Sequence, residues 1–142
     1  MRCDEVMKSN PECLGRGQTV QQAARRMRDL NIGFLPICDA GKVVGVITDR
    51  DIAIRVAADG KPFDLPCDQV MTTQVVACRP EDDIHKAEQL MGQARKSRIL
   101  VTEANGKLVG VISLSDIAQQ VDDPDDVART MREVTDREAR SK

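Results

Sequence analysis

A short motif of polar side chains occurs twice in this chain. In residues 45–51 and again in residues 110–116, a glycine is followed by two apolar residues, a Thr or Ser, two further residues and an aspartate. Helix-start amides bind phosphate, a hydroxyl adds one donor, and a carboxylate accepts from both hydroxyls of a ribose. The motif therefore suits a nucleotide, although a hydroxyl three residues before an aspartate is also typical of a plain helix cap.

The two motifs belong to a longer duplication. Residues 41–53 and 106–118 are identical at nine of thirteen positions, and a Val-Met pair opens each copy, at 6–7 and at 70–71. A unit that recurs in this way packs on its copy because neither buries its apolar face alone. The function is therefore expected where the copies match.

Each copy predicts the same order of elements around the motif. Thr19 and Gln22 form a capping box before an apolar stripe at helical spacing, and the second copy repeats this helix behind Asp82 or Asp83. A hairpin of two apolar strands follows, and a second helix starts at the motif. Gly45 and Gly110 lie in the second strand, where they either permit a close backbone approach or relieve crowding. The predicted fold is α+β (α/β), with the order β, α, β, β, α in each repeat.

The predicted boundaries follow the repeats. Residues 60–66 hold two prolines and a glycine, which favours a linker. We therefore expect domains at 1–62 and 63–122, followed by a charged C-terminal helix or tail at 123–142.

Composition excludes several classes of function. A net charge of −2 and only two aromatic residues give no field or stacking platform for nucleic acid. No apolar run reaches the roughly 20 residues of a membrane helix, so a cytoplasmic protein is expected. Five cysteines without a CxxC pair and the single His85 disfavour a metal site. His85 stands alone at a helix start and no cysteine has a recognisable base partner, so we expect no catalytic residues and no enzymatic activity.

Together with the Val-Met pairs and residues 31–36, the motifs resemble a tandem pair of CBS domains, a Bateman module, over about residues 4–121. The resemblance implies two repeats packed through their sheets with pseudo-twofold symmetry, in a small stand-alone protein that forms a homodimer. It implies no required cofactor and a regulatory adenosine nucleotide, AMP, ADP or ATP, whose binding is signalled through the dimer or to an unidentified target protein. S-adenosylmethionine, NAD or a ligand-independent interaction role stay open as alternatives.

In this family each cleft is composite, so the resemblance also implies two sets of binding residues. The first cleft joins Thr48, Arg50 and Asp51 to Thr72 and the backbone around Val76 and Ala77. The second joins Ser113, Ser115, Asp116, Arg98 and Ile99 to Lys8 and the backbone near Cys13. Arg98 stands where some members carry a phosphate-contacting arginine, whereas the first copy has Phe34 there. The Ser113–Asp116 cleft is therefore predicted to bind more tightly.

Overall fold

The computed structural model describes residues 1–120 and 124–140. The predicted end of the second repeat, at 121–122, lies outside the described residues, as do residues 123, 141 and 142 of the predicted C-terminal segment. The described chain forms two compact units. The central unit comprises residues 12–75, and the terminal unit comprises residues 1–11 with the described residues from 76 onward.

The elements of the central unit are β2 (Leu14–Gly15), α2 (Val20–Leu30), β3 (Phe34–Asp39), β4 (Lys42–Thr48), α3 (Asp49–Asp51), which continues as a π-helix (Ile52–Ala57), and a 3₁₀ turn (Cys67–Gln69). The three strands form one sheet in the order β2, β3, β4. The core is aliphatic, with Leu35, Ile37 and Ile47 fully buried. The copy thus has the predicted order β, α, β, β, α.

The elements of the terminal unit are α1 (Cys3–Val6), β1 (Lys8–Ser9), β5 (Ala77–Cys78), α4 (Ile84–Ala94), β6 (Arg98–Thr102), β7 (Leu108–Ser113), α5 (Leu114–Gln120) and α6 (Pro124–Arg140). The four strands form one sheet in the order β1, β7, β6, β5. The segment predicted as a helix or tail is therefore helical over 124–140. It packs on α4 and α5, with the carboxylate of Glu133 over Gly92, where a side chain larger than hydrogen would collide with it.

The predicted helix starts are confirmed. Thr19 Oγ1 accepts from Gln22 N at 3.1 Å, and Gln22 returns the bond to Thr19 N at 2.8 Å. Of the two candidate caps for α4, Asp83 takes the role by accepting from His85 N at 2.9 Å.

The sequence repeats and the two compact units do not have the same boundaries. We name residues 3–9 and 67–72 the lead segments of the first and second copy. The lead segment of the first copy contributes β1 to the sheet of the second copy, pairing antiparallel with β7. The lead segment of the second copy forms a bridge to β4 of the first, through Thr72 and Val46. Each unit therefore combines the body of one copy with the lead segment of the other.

Candidate functional site

The two motifs occupy the same place in their units, where the last strand ends and a helix begins. Thr48 is the last residue of β4 and Ser113 the last of β7. The hairpins hold this place in register: Phe34 lies opposite Thr48, and Arg98 lies opposite Ser113. Arg98 follows Phe34 by 64 positions but Ser113 follows Thr48 by 65, so the second copy has one extra residue between them. It falls in the turn between β6 and β7 and leaves this end of the hairpin unchanged.

The hydroxyl and the aspartate of each motif cap the helix reciprocally. In the central unit Asp51 N donates to Thr48 Oγ1 at 3.1 Å, and Thr48 N donates to Asp51 Oδ2 at 3.0 Å. In the terminal unit the same two bonds join Ser113 and Asp116, again at 3.1 and 3.0 Å. The capping role expected of a plain helix start is therefore present in both copies. It uses one lone pair of each hydroxyl and one oxygen of each carboxylate.

A third group approaches each aspartate from the lead segment of the other copy. Thr72 Oγ1 lies 3.4 and 3.5 Å from the two oxygens of Asp51. Lys8 Nζ lies 3.6 Å from Asp116 Oδ1. Each motif aspartate is thus contacted by a residue from the lead segment of the other copy, Asp51 by Thr72 and Asp116 by Lys8. That these groups together bind a ligand stays a prediction.

The glycine of each motif makes this approach possible. A Cβ on Gly45 would lie 2.9 Å from the carbonyl oxygen of Thr72, and one on Gly110 would lie 3.1 Å from that of Lys8. The side chains of Met71 and Met7 would be in the way as well. Of the two interpretations left open by the sequence, close backbone approach is therefore the one realised, and the approaching backbone is a lead segment.

The two aspartates are nearly withdrawn from solvent and have cationic neighbours. The side chain of Asp51 is 12% exposed and that of Asp116 is 9% exposed. Arg55 Nε lies 3.8 Å from Asp51 Oδ1, so the cation of the central unit comes from the helix itself. Sequence reasoning missed Arg55, although its spacing of four residues from Asp51 on a helix was a usable signal.

The remaining predicted residues are placed as follows. Arg98 is exposed and shares a sheet face with Ser113, because directly opposed residues project to the same side. Ser115 Oγ lies 2.9 Å from Ser113 Oγ. Ile99 is a core residue, 1% exposed, which leaves only its backbone for a ligand. Arg50 is exposed, and its N–H donates to Asp49 Oδ1.

The residues whose backbone was predicted to contact a ligand, Val76, Ala77 and Cys13, do not belong to the same unit as the motif with which each was predicted to act. Val76 and Ala77 belong to the terminal unit, where Val76 O accepts from Leu100 N at 3.1 Å. Cys13 belongs to the central unit, beside Cys38. Each of these backbones therefore lies in the unit opposite to the motif with which it was predicted to act.

Four of the five cysteines are buried thiols. Burial raises the pKa of Cys38 to about 11 and that of Cys67 to about 11, in the second case with help from the negative charge of Asp68. Cys78 Sγ lies 3.5 Å from Cys3 Sγ, and this hydrogen bond together with burial raises the pKa of Cys3.

Within the described residues, His, Cys, Asp and Glu side chains do not gather in groups of three that could hold a metal ion. None of the described helices has both the length and the apolar character needed to cross a bilayer.

Comparison with known proteins places this geometry in a family. The sequence model of the CBS domain matches residues 3–58 and again residues 67–123. This chain belongs to the CBS domain family. The CBS domain-containing protein YhcV of Bacillus subtilis (strain 168) is 35% identical over 114 residues, which make up 80% of this chain and 81% of YhcV.

Solved structures of CBS proteins share the fold. Hypoxic Response Protein I, a protein of Mycobacterium tuberculosis solved with two coordinated zinc ions, matches 85% of this chain and 99% of its own with a TM-score of 0.78 and 28% identity. The CBS domain protein PAE2072 of Pyrobaculum aerophilum, solved in complex with AMP, matches 93% of this chain and 99% of its own with a TM-score of 0.77. At 22% identity, the likeness to PAE2072 is one of fold. The chain is thus a tandem CBS protein, and each of its two repeats contains one hydroxyl–aspartate motif.

Proposed function

We propose that this CBS protein is a regulatory sensor that binds an adenosine nucleotide, AMP, ADP or ATP, at a hydroxyl–aspartate site in each unit. The observation that carries the proposal is the pair of nearly buried aspartates, each contacted by a donor from a separate lead segment. A helix cap needs no buried charge: the capping box of Thr19 and Gln22 stabilises α2 with uncharged side chains alone.

The groups left over after capping suit a ribose and a phosphate. The cap uses the proton of neither hydroxyl, and each aspartate keeps Oδ1 as an acceptor for sugar hydroxyls. In the terminal unit Ser113 and Ser115 share one hydrogen bond, which leaves the pair one hydroxyl proton to donate. In the terminal unit Lys8 is 79% exposed and Arg98 is also exposed, so both cations are accessible to a phosphate. The central unit has Phe34 and Thr72 at the matching positions. This supports tighter binding of a phosphorylated ligand at Ser113–Asp116, as the sequence predicted.

The relatives support the same ligand class. PAE2072, which has this fold, was solved in complex with AMP. We propose a cytoplasmic homodimer that passes the ligand signal on through the dimer or to a target protein. Light scattering coupled to gel filtration tests the homodimer, and a monomer mass over the working concentration range would contradict it.

Calorimetry with AMP, ADP and ATP tests the function. Asp116→Asn keeps a capping acceptor but removes the charge, so it is expected to weaken the tighter binding event by about tenfold or more, the effect of losing a charge-assisted hydrogen bond. Asp51→Asn is expected to weaken the second event. Glu103→Gln, an exposed neutralisation in the terminal unit, serves as the matched control and leaves both unchanged. Wild-type affinity in both aspartate variants would refute the assignment.

Thermal shift separates the sensor from a ligand-independent interaction module. A ligand at 100 times its dissociation constant stabilises the folded state by about 2.7 kcal/mol. A shift with an adenosine nucleotide supports the proposal, and one with S-adenosylmethionine or NAD alone changes the ligand. No shift with any of these would indicate that the motifs only cap helices.

A further inference from the structure

Arg55 contacts two separate segments of the central unit. Its Nη1 donates to the carbonyls of Val70 and Met71 at 3.2 and 3.3 Å. Its Nε lies 3.8 Å from Asp51 Oδ1. A guanidinium carries five N–H donors in a rigid fork, so one side chain can hold a carboxylate and two carbonyls together. Arg55 therefore ties the lead segment of the second copy to the aspartate of the first motif.

The helix that carries Arg55 is wound differently from its counterpart. Residues Ile52–Ala57 form a π-helix, and Ala58 N donates to Ala53 O, five residues back, at 2.9 Å. Such turns are rare and occur frequently at functional sites. The corresponding helix of the second copy, Leu114–Gln120, is a regular α-helix. The unusual winding is therefore found in the helix that carries Arg55 and not in its counterpart.

Between the described residues of α5 and the lead segment of the first copy, no side chain donates to backbone carbonyls as Arg55 does. Gln120 stands 65 positions after Arg55, at the matching place of the duplication, and it is exposed. The cation near Asp116 is Lys8, which is itself part of the lead segment. A lysine is a single charge on a flexible stem, so this contact does not fix backbone carbonyls as a guanidinium does.

We infer that Arg55 is the positioning residue of the central site. It holds residues 70–72 against Asp51, so that the carboxylate and the Thr72 hydroxyl are arranged before a ligand arrives. A site ordered in advance binds more tightly because less ordering accompanies binding. The effect on affinity rests on the function proposed above, whereas the effect on the lead segment does not.

Amide hydrogen exchange tests the tie without any ligand. Thr72 N donates to Val46 O at 2.8 Å, and Val46 N donates to Thr72 O at 2.9 Å. In Arg55→Gln both amides are expected to exchange about fivefold faster or more. Arg55→Lys, which keeps the charge but not the fork, should behave likewise. Arg25→Gln, an exposed neutralisation on α2, is the control, and the amides of Lys8 and Ser9 in the terminal unit are an internal reference. Unchanged exchange at Thr72 and Val46 overturns the inference.

Binding of adenosine and AMP in an Asp116→Asn background tests the consequence for the ligand. Because a positioning residue acts on the carboxylate and not on the phosphate, Arg55→Gln should weaken both ligands by the same factor, about fivefold. Loss for AMP alone would indicate direct phosphate contact, and a gain in affinity would indicate competition for Asp51; either result overturns the positioning role. If the wild type binds no nucleotide, the proposed function fails, and exchange at Thr72 still decides whether Arg55 holds the segment.

Discussion

The two sites agree in their backbone contacts and differ in the source of positive charge. Both motifs have the reciprocal capping bonds at 3.0 and 3.1 Å, and both glycines admit a lead segment. The charge near Asp51 comes from Arg55 on the following helix, whereas the charge near Asp116 comes from Lys8 on the lead segment. The two copies thus share the backbone geometry of the motif, but the cation near the nearly buried carboxylate comes from a different element in each copy.

The largest expected effect on stability tests the feature that the two sites share, the close approach of a lead segment to the motif glycine. Gly45→Ala and Gly110→Ala place a Cβ against the backbone of a lead segment, so each is expected to cost about 1–3 kcal/mol of unfolding free energy by overpacking. Chemical denaturation measures this loss. Gly15→Ala, where no atom lies within 4 Å of the added methyl group, is the control. If only one of the two motif glycines were sensitive, the sites would not be structurally equivalent.

Removing the capping hydroxyl also tests whether the two sites are structurally equivalent, with a smaller expected loss of stability. Thr48→Ala and Ser113→Ala are each expected to lower the unfolding free energy by about 1 kcal/mol, the typical effect of losing an N-cap. Thr19→Ala provides the reference for a cap without a neighbouring carboxylate. A larger loss at Thr48 or Ser113 than at Thr19 would mean that the aspartates depend on these hydroxyls beyond capping.

The lead segments begin with matched cysteines, Cys3 and Cys67. The raised pKa of Cys67 predicts a change in stability at alkaline pH. The thiol of Cys67 is fully buried, with its pKa raised from 9.0 to about 11. The unfolded chain therefore loses this proton first, so the stability that the thiol contributes is present below about pH 9 and is lost as the pH rises towards 11. The advantage of the wild type over Cys67→Ala should shrink by roughly 1 kcal/mol between pH 8 and pH 10. Denaturation at the two pH values tests this, with Cys13→Ala at an exposed position as the control. A constant difference would contradict the pKa shift.

The smallest expected effect on stability concerns Lys8, the exposed cation near Asp116. Lys8→Gln should change the unfolding free energy by less than about 1 kcal/mol, because a pair with one exposed partner is well screened. AMP binding in the terminal unit should nevertheless weaken several-fold, and its dependence on salt should fall. Lys107→Gln, which removes an exposed charge from the same unit, is the control. Equal affinity and salt dependence in Lys8→Gln and wild type would remove Lys8 from the site.

The sequence was most informative about local structure. The capping boxes, the hairpins and the order of elements were readable because they depend on neighbours within a few residues. The pairing of Thr72 with Asp51, and of Lys8 with Asp116, was inferred through the family resemblance. It could not be derived from spacing, since these residues lie 21 and 108 positions apart. The backbone contacts assigned to Val76, Ala77 and Cys13 stay predictions, since each of these residues belongs to the unit opposite to the motif with which it was predicted to act.

The sequence by itself determined that a hydroxyl–aspartate motif occurs twice at a strand-to-helix turn, since this follows from repetition and short-range hydrogen bonding. Only the tertiary structure decided which atoms meet each aspartate. The role of Gly45 and Gly110 became definite once the lead segments were seen to pass over them. The function of Arg55 depends on carbonyls 15 and 16 residues away, and such contacts are set by the packing of segments that the local sequence does not specify.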